Sequence, residues 1–459
     1  MSARERESDD DDDDKIEQQQ QPPLQKVVQV AKTYTTNVEP ENPLPLDWTK
    51  LSVSASDGAF PIRYPDDVAT WSSDDTEIRI VGTSGQKITV IGENTFSDRR
   101  KTNTDELKSL VLRSHLIKDM AGLGSLPKLE TLELYDNMVQ SFDEASMKGC
   151  GRTALRVLDM SYNAIRDMTP VQYCNGETLT ELYLANNKLK QISGLKHLTN
   201  LRKLDLGANK IRAFNGEEFQ GLHNLTDLLI GKNKIESLDG IQSLTKLQRL
   251  DVQSNRITSV VNEKDGLCYL NSQRGTLEEL LLAHNGLDDN GISGFISLTG
   301  RGGDEHNIDD DSCSFPKLTI LDISRNRLTS MDPLFLDSKN DKILGKWPML
   351  EDIWLSGNDI KDFDAVHPLK EASDRNHIPK LETVYLEYNP VANDFQYRQK
   401  LAEFVPTLKQ IDATMIRGYG SVPVPPASAT GANVATEERL RQLQETAIQR
   451  AKQQQQQQQ

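Results

Sequence analysis

Between Leu107 and Asn389 the apolar residues fall in one recurring order, L-x-x-L-x-L, with an asparagine three residues after the last leucine. Clear copies are LETLELYDN (Leu129 to Asn137), LTELYLANN (Leu179 to Asn187), LRKLDLGAN (Leu201 to Asn209), LQRLDVQSN (Leu247 to Asn255) and LETVYLEYN (Leu381 to Asn389). Degenerate copies bring the count to eleven, with the asparagine slot at 115 (a histidine), 137, 163, 187, 209, 233, 255, 285, 326, 358 and 389. Two leucines spaced by two point to one side of a short strand, and the residue between them points to the other. Each phrase therefore predicts a short strand with one buried face, followed by a turn at the asparagine.

The shortest intervals between slots are 22 residues, and a fixed period in this range predicts a leucine-rich-repeat solenoid. The expected fold class is α/β, with about eleven 22-residue-type repeats, a curved parallel sheet on the concave face and a C-terminal helical cap. Inward leucines of neighbouring coils stack into a core that no single repeat could bury. The asparagine amide, both donor and acceptor, can satisfy backbone groups in adjacent turns. Eleven strands at roughly 4.8 Å spacing make a sheet on the order of 50 Å long.

Around this solenoid, taken as 101–390, the composition shifts. Residues 1–44, with the aspartate run Asp9 to Asp14 and glutamines 18 to 21, read as an acidic, glutamine-rich disordered arm. In 45–100, Ile78, Ile80 and Val81, then Gly-Thr-Ser-Gly, then Ile88, Val90 and Ile91 predict two short strands around a turn, either a small cap on the first coil or a separate binding module. Slot intervals of 30, 41 and 32 residues in the second half imply loops leaving the coil. The longest, around 299–314, is acidic and glycine-rich; Asp309, Asp310 and Asp311 lack calcium-loop spacing and read as a solvated loop. Over 391–420, Asp394 is expected to cap a helix whose Tyr397, Leu401 and Phe404 share one face, with Pro406 ending it and Leu408 and Ile411 returning to the sheet. A linker, a weak helix near Thr436 to Lys452 and a poly-glutamine tail make up 421–459.

The net charge of −16 argues against a nucleic-acid partner held by phosphate neutralisation. Cys150, Cys174, Cys268 and Cys313 are isolated, with no paired cysteines flanking the repeats, which suits a reducing compartment. The charged N-terminus and the lack of long apolar runs predict neither signal peptide nor membrane span, hence an intracellular chain of nucleus or cytoplasm. No phosphate-binding loop, nucleophile elbow or metal-ligand histidine pair occurs. No enzyme activity, cofactor or metal is expected.

The informative positions are the outward ones between the two closing leucines: Val111, Glu133, Asp159, Tyr183, Asp205, Leu229, Asp251, Leu281, Asp322, Trp354 and Tyr385. Five of these eleven are acidic and none is basic. The neighbouring outward position adds Glu181, Asp227, Glu279 and Asp352. Trp and Tyr on an exposed sheet are residue types that dominate binding hot spots, and flanking carboxylates select a cationic partner. A protein-binding concave face follows.

LVLRSHLIK (Leu110 to Lys118), LDMSYN, IGKNKI, LDISRNRL and above all LETVYLEYNP…QYRQKL…QIDAT resemble the protein phosphatase 1 regulatory subunit 7 family, over about Leu107 to Arg417. That resemblance implies a non-catalytic regulatory subunit that binds the catalytic subunit of type-1 serine/threonine protein phosphatase through its concave face, a monomer within a hetero-oligomeric complex. The partner-binding positions it implies are Asp159, Tyr183, Asp205, Leu229, Asp322, Asp352, Trp354 and Tyr385. Here Tyr183 replaces an aromatic without a hydroxyl, Asp205 a longer acid, and Leu229 an aromatic ring. The family lacks the short basic-valine-x-phenylalanine docking peptide, and no good copy occurs in this chain. The alternative is a general repeat scaffold in another intracellular complex, splicing, axonemal or tubulin-related.

Overall fold

A computed structural model describes residues 76–82, 87–88, 91, 106–262, 267–295, 315–337, 342–343 and 345–416. The acidic arm, the 299–314 insert, Cys313, the linker, the Thr436 to Lys452 stretch and the glutamine tail lie outside the described residues.

The strands in chain order are β1 (Glu77–Val81), β2 (Ser109–Arg113), β3 (Thr131–Glu133), β4 (Val157–Asp159), β5 (Glu181–Tyr183), β6 (Lys203–Asp205), β7 (Asp227–Leu229) and β8 (Arg249–Asp251). After them come β9 (Glu279–Leu281), β10 (Ile320–Asp322), β11 (Leu336–Asp337), β12 (Lys342–Ile343), β13 (Asp352–Trp354), β14 (Thr383–Tyr385), β15 (Gln410–Ile411) and β16 (Thr414–Met415). All but β11 and β12 form one open 14-stranded sheet in sequence order. Pairing is parallel from β1 to β15, and only β16 folds back antiparallel. Every strand of this sheet from β2 to β14 carries the repeat phrase, so the predicted solenoid is the observed fold.

The register explains the core. Leu132, Leu158, Leu182, Leu204, Leu228 and Leu250 face one another across successive strands and are fully buried. The second leucine of each pair, such as Leu134, Leu184, Leu206 and Leu282, is equally buried. Burying each such side chain is worth about 1.5–3 kcal/mol, and every coil shares its buried surface with two neighbours.

Each asparagine ties two coils together. Asn187 donates from Nδ2 to the carbonyl of Met160 in the previous coil at 3.0 Å and to that of Leu184 in its own at 3.1 Å, while its Oδ1 accepts the Ile165 N–H at 3.0 Å. Asn209, Asn233 and Asn326 repeat the pattern. In all eleven repeats the residue just before the slot has a left-handed backbone, with φ between 52° for Ala208 and 70° for Gly357. A side chain there costs about 1–2 kcal/mol, a strain the asparagine bonds hold in place. These positions carry residues as different as Tyr162, Lys232 and Arg325, so composition does not betray them.

The first slot, His115, performs the same task with an imidazole. Nδ1 accepts the Ile88 N–H at 3.2 Å, and Nε2 sits 3.2 Å from the Ile80 carbonyl. This assigns the neutral ring with its proton on Nε2. At 3% exposure, burial pushes the imidazole pKa down from 6.5 to about 4.

The 45–100 stretch departs from the expected hairpin. β1 runs parallel to β2 as one more strand of the solenoid sheet, and Ile88 and Ile91 pack into the core without forming a strand. Their carbonyls accept the Leu116 and Gly122 N–H groups at 2.9 and 3.3 Å, so this segment runs as part of a coil. Two further expectations change. Asp394 is not a helix cap: the helix Tyr397–Phe404 starts after Gln396, whose N–H Asp394 accepts at 2.9 Å, and Asp394 pairs with Lys400 at 2.6 Å. The interval before Asn358 is not all loop but includes the antiparallel β11–β12 hairpin. Tyr397 and Leu401 are buried on the core side of their helix; Ile411 returns to the sheet as expected, while Leu408 is buried just before that strand.

Beyond the repeats, Asp412 takes over the bridging role. Its buried carboxylate accepts the Leu386 and Glu387 N–H groups at 2.9 and 3.0 Å and binds the Arg398 guanidinium at 3.0 Å. An aromatic plug of Phe295, Phe315 and Trp347 fills the core beside the long insert. Phe315 stacks on Trp347 at 5.7 Å, and the Trp347 indole N–H donates to the Leu334 carbonyl at 3.1 Å. Phe295 and Phe315, flanking the segment outside the described residues, lie with ring centroids 5.7 Å apart.

Candidate protein-binding face

Two rows of side chains run along the outer face of the sheet. Strand register places Glu133, Asp159, Tyr183, Asp205, Leu229, Asp251, Leu281, Asp322, Trp354 and Tyr385 side by side in one row. All eight partner-binding candidates lie on this face, seven in this row and Asp352 in the next. Val111, predicted as exposed, is only 1% exposed; Arg79 and Glu133 flank it on β1 and β3.

The acids of the row are largely occupied within the chain. Asp159, Asp205, Asp251 and Asp322 each turn one carboxylate oxygen onto the N–H two residues ahead, at 2.9, 2.9, 3.1 and 2.9 Å. Because the side chain alternates outward just where the strand ends, an aspartate can close this local turn, whereas an aliphatic residue cannot. Glu133 accepts the Arg113 guanidinium at 2.8 Å. Burial raises the carboxyl pKa of Asp159, Asp205 and Asp322 above the ordinary aspartate value, against the opposing pull of the bound N–H.

The second row reads differently from its acidic members alone. Glu181, Lys203, Asp227, Arg249 and Glu279 stand in register on five successive strands. Lys203 and Arg249 alternate with the acids. Arg249 lies 3.2 Å from Glu279, and the Lys203 ammonium sits 5.3 Å from the Tyr183 ring centre. Tyr183 donates its hydroxyl to Glu181 at 2.5 Å, and burial pushes that phenol well above its ordinary pKa. The middle of the face thus interleaves two cations with its acids, although the Arg249 Nε, close to Glu279, is buried without a hydrogen-bond acceptor among the described residues.

Toward the C-terminal end the arrangement opens. Trp354 lies between Asp322 and Tyr385 in the register, with Asp352 two residues before it on the same face. The Trp354 and Tyr385 rings meet edge to face, centroids 5.9 Å apart at 74°. Gln410 donates to the Tyr385 hydroxyl at 2.7 Å. The Trp354 indole Nε1 is buried and finds no acceptor among the described residues. Asp352 forms no ion pair among the described residues. A half-buried aromatic pair, an indole donor without an acceptor and a carboxylate without a cation together form a surface with unmet bonding capacity.

Among the described residues no group of three or more His, Cys, Asp or Glu could hold a metal, and no helix is long and apolar enough to cross a membrane. Cys150, Cys174 and Cys268 are free and buried.

Leucine rich repeat family models match residues 199–257, 177–219 and 317–338. An internalin from Listeria monocytogenes superposes with a TM-score of 0.51 at 20% identity, covering 73% of this chain and 86% of that one. The chain is a leucine-rich-repeat protein. The resemblance to the regulatory subunit 7 family also holds. The chain is 54% identical over 39 residues to Protein phosphatase 1 regulatory subunit 7 of Xenopus tropicalis, covering 8% of this chain and 11% of that protein. It is 33% identical over 108 residues to the Protein phosphatase 1 regulatory inhibitor subunit PPP1R7 homolog of Arabidopsis thaliana, 22% of this chain and 31% of that one. It is 38% identical over 69 residues to Protein phosphatase 1 regulatory subunit SDS22 of Schizosaccharomyces pombe, 15% of this chain and 19% of that one. The chain thus matches between 11% and 31% of the length of these relatives.

Proposed function

We propose that this protein is a non-catalytic regulatory subunit that binds the catalytic subunit of type-1 serine/threonine protein phosphatase through the concave face of its sheet, inside the cell. The observation that carries the reading is the C-terminal end of that face. Trp354 and Tyr385 meet there beside Asp352 and Asp322, and among the described residues the Trp354 indole N–H has no acceptor. A buried donor left without a partner costs about 1–3 kcal/mol, and an acceptor supplied by a bound protein recovers it. The names of the similar proteins supply the partner's identity. A general scaffold accounts for the repeats but gives this aromatic and acidic patch no role.

In this reading Trp354 and Tyr385 anchor the partner and Asp352 selects a basic group on it. Asp159, Tyr183 and Asp205 contribute shape more than charge, because a polar atom of each is already engaged, and Leu229 adds apolar surface. Titrating the full chain against the phosphatase catalytic subunit while following hydrogen exchange tests this. Protection concentrated on 352–354 and 383–385 supports it; binding with protection confined to other segments, or no binding, refutes it.

A further inference from the structure

A second surface differs in charge from the concave face. The residue after the asparagine slot is Lys188, Lys210, Lys234 and Arg256 in four successive coils. Their N–H groups bond in sequence to the carbonyls of Ile165, Leu189, Ile211 and Ile235, each at 2.8 Å, so the four stand one per coil in a single column. Two residues further on, Arg166, Lys190 and Arg212 begin a parallel column. The residues between the columns, Ile165, Leu189, Ile211 and Ile235, are fully buried. By alternation the flanking cations project to solvent from the side of the solenoid, off the sheet face.

This basic strip is unusual within a chain of net charge −16. Several cations elsewhere are paired: Lys108 with Glu130, Lys128 with Glu106, Arg398 with Asp412, Lys409 with Glu382. Among the described residues Arg166, Lys188, Lys190, Lys234 and Arg256 form no ion pair. Asp167, next to Arg166 in the chain, accepts the Thr169 N–H at 2.9 Å, and Glu236 follows Arg212 in the second column.

We infer that this flank is a docking surface for an extended acidic segment of a partner protein. Coils spaced by roughly 4.8 Å set the four-residue column at about 15 Å, which about five residues of extended chain span. Consecutive carboxylates along such a segment meet cations on both columns. Nucleic acid fits less well: the strip offers no aromatic side chain for base stacking, and the chain's net negative charge repels a polyphosphate at long range. Because the strip lies beside the sheet face, an acidic partner can bind while the concave face is occupied.

The test uses the full chain and a fluorescein-labelled deca-glutamate peptide, with anisotropy read at low and high salt. The comparison variants are K188Q/K190Q/K234Q/R256Q and, as a control of equal charge change, K108Q/K128Q/K370Q/K409Q, which removes paired surface lysines. The unmodified chain and the control should bind alike, and the first variant about tenfold or more weaker. Added salt should weaken binding of the unmodified chain. Equal affinity for both variants, or no peptide binding at all, would overturn the inference. Tighter binding of a ten-nucleotide oligothymidine than of the peptide would overturn the choice of an acidic protein segment. Circular dichroism melts of both variants separate a lost site from a lost fold.

Discussion

The middle and the C-terminal end of the concave face are built from the same repeat but differ in what they leave over. From β5 to β9 the acids and bases alternate across strands, and the outward aspartates spend an oxygen on their own backbone. Around β13 and β14, among the described residues, the Trp354 indole N–H has no acceptor and the Asp352 carboxylate has no ion-pair partner. Abundance of charge is therefore a poor guide to where a partner binds. Unmet bonding capacity is a better one.

The largest expected effect concerns the core that both regions share. Leu282→Ala removes a fully buried leucine between them and should cost about 2–5 kcal/mol of unfolding free energy. Since each coil leans on the next, both halves should melt together. A thermal melt with no shift, or one that separates the two halves, would mean the core is not shared.

An acid titration sharpens the comparison at the far N-terminal end. His115 has a folded pKa of about 4 against 6.5, so the unfolded chain binds the extra proton between those values. Its contribution is complete above about pH 6.5 and is lost as pH falls toward 4, a change of about 3 kcal/mol at most. The raised carboxyls of Asp159, Asp205 and Asp322 act oppositely, since protonation relieves their burial. The difference between the unmodified chain and His115→Asn therefore isolates the histidine. Asparagine makes the same bonds in the other coils, so that variant should lose less stability between pH 6.5 and 4; denaturant melts of identical pH dependence would exclude the role.

A smaller effect is expected in the middle of the face. Arg249→Gln breaks one rung of an exposed charge ladder and should change stability by under about 1 kcal/mol. In phosphatase binding its effect should fall well below that of a change at the C-terminal patch. A larger loss than at Trp354 would reverse the assignment of the two regions.

Much of this was legible in the chain. Leucines two apart and asparagines at 22-residue intervals specify strand, face and turn, because their geometry repeats regardless of neighbours. The juxtaposition of Trp354 with Tyr385 follows from the same count. What was not legible depends on partners outside the phrase. The aspartates look like free surface charge until the N–H two residues ahead is seen to hold them. Lys203 and Arg249 matter because of which acids stand beside them in the next coil. β1 carries isoleucines without the closing asparagine, and only pairing with β2 shows that it belongs to the sheet. Asp412 replaces an asparagine in a segment that no longer spells the repeat.

Trp354 is the proposed anchor of the partner. Isothermal titration of the phosphatase catalytic subunit into the full chain and into Trp354→Ala, with a melt of each, tests it most directly. The account predicts a variant that melts like the unmodified chain and binds about 2 kcal/mol or more weaker, roughly thirtyfold. A folded variant with unchanged affinity would contradict it.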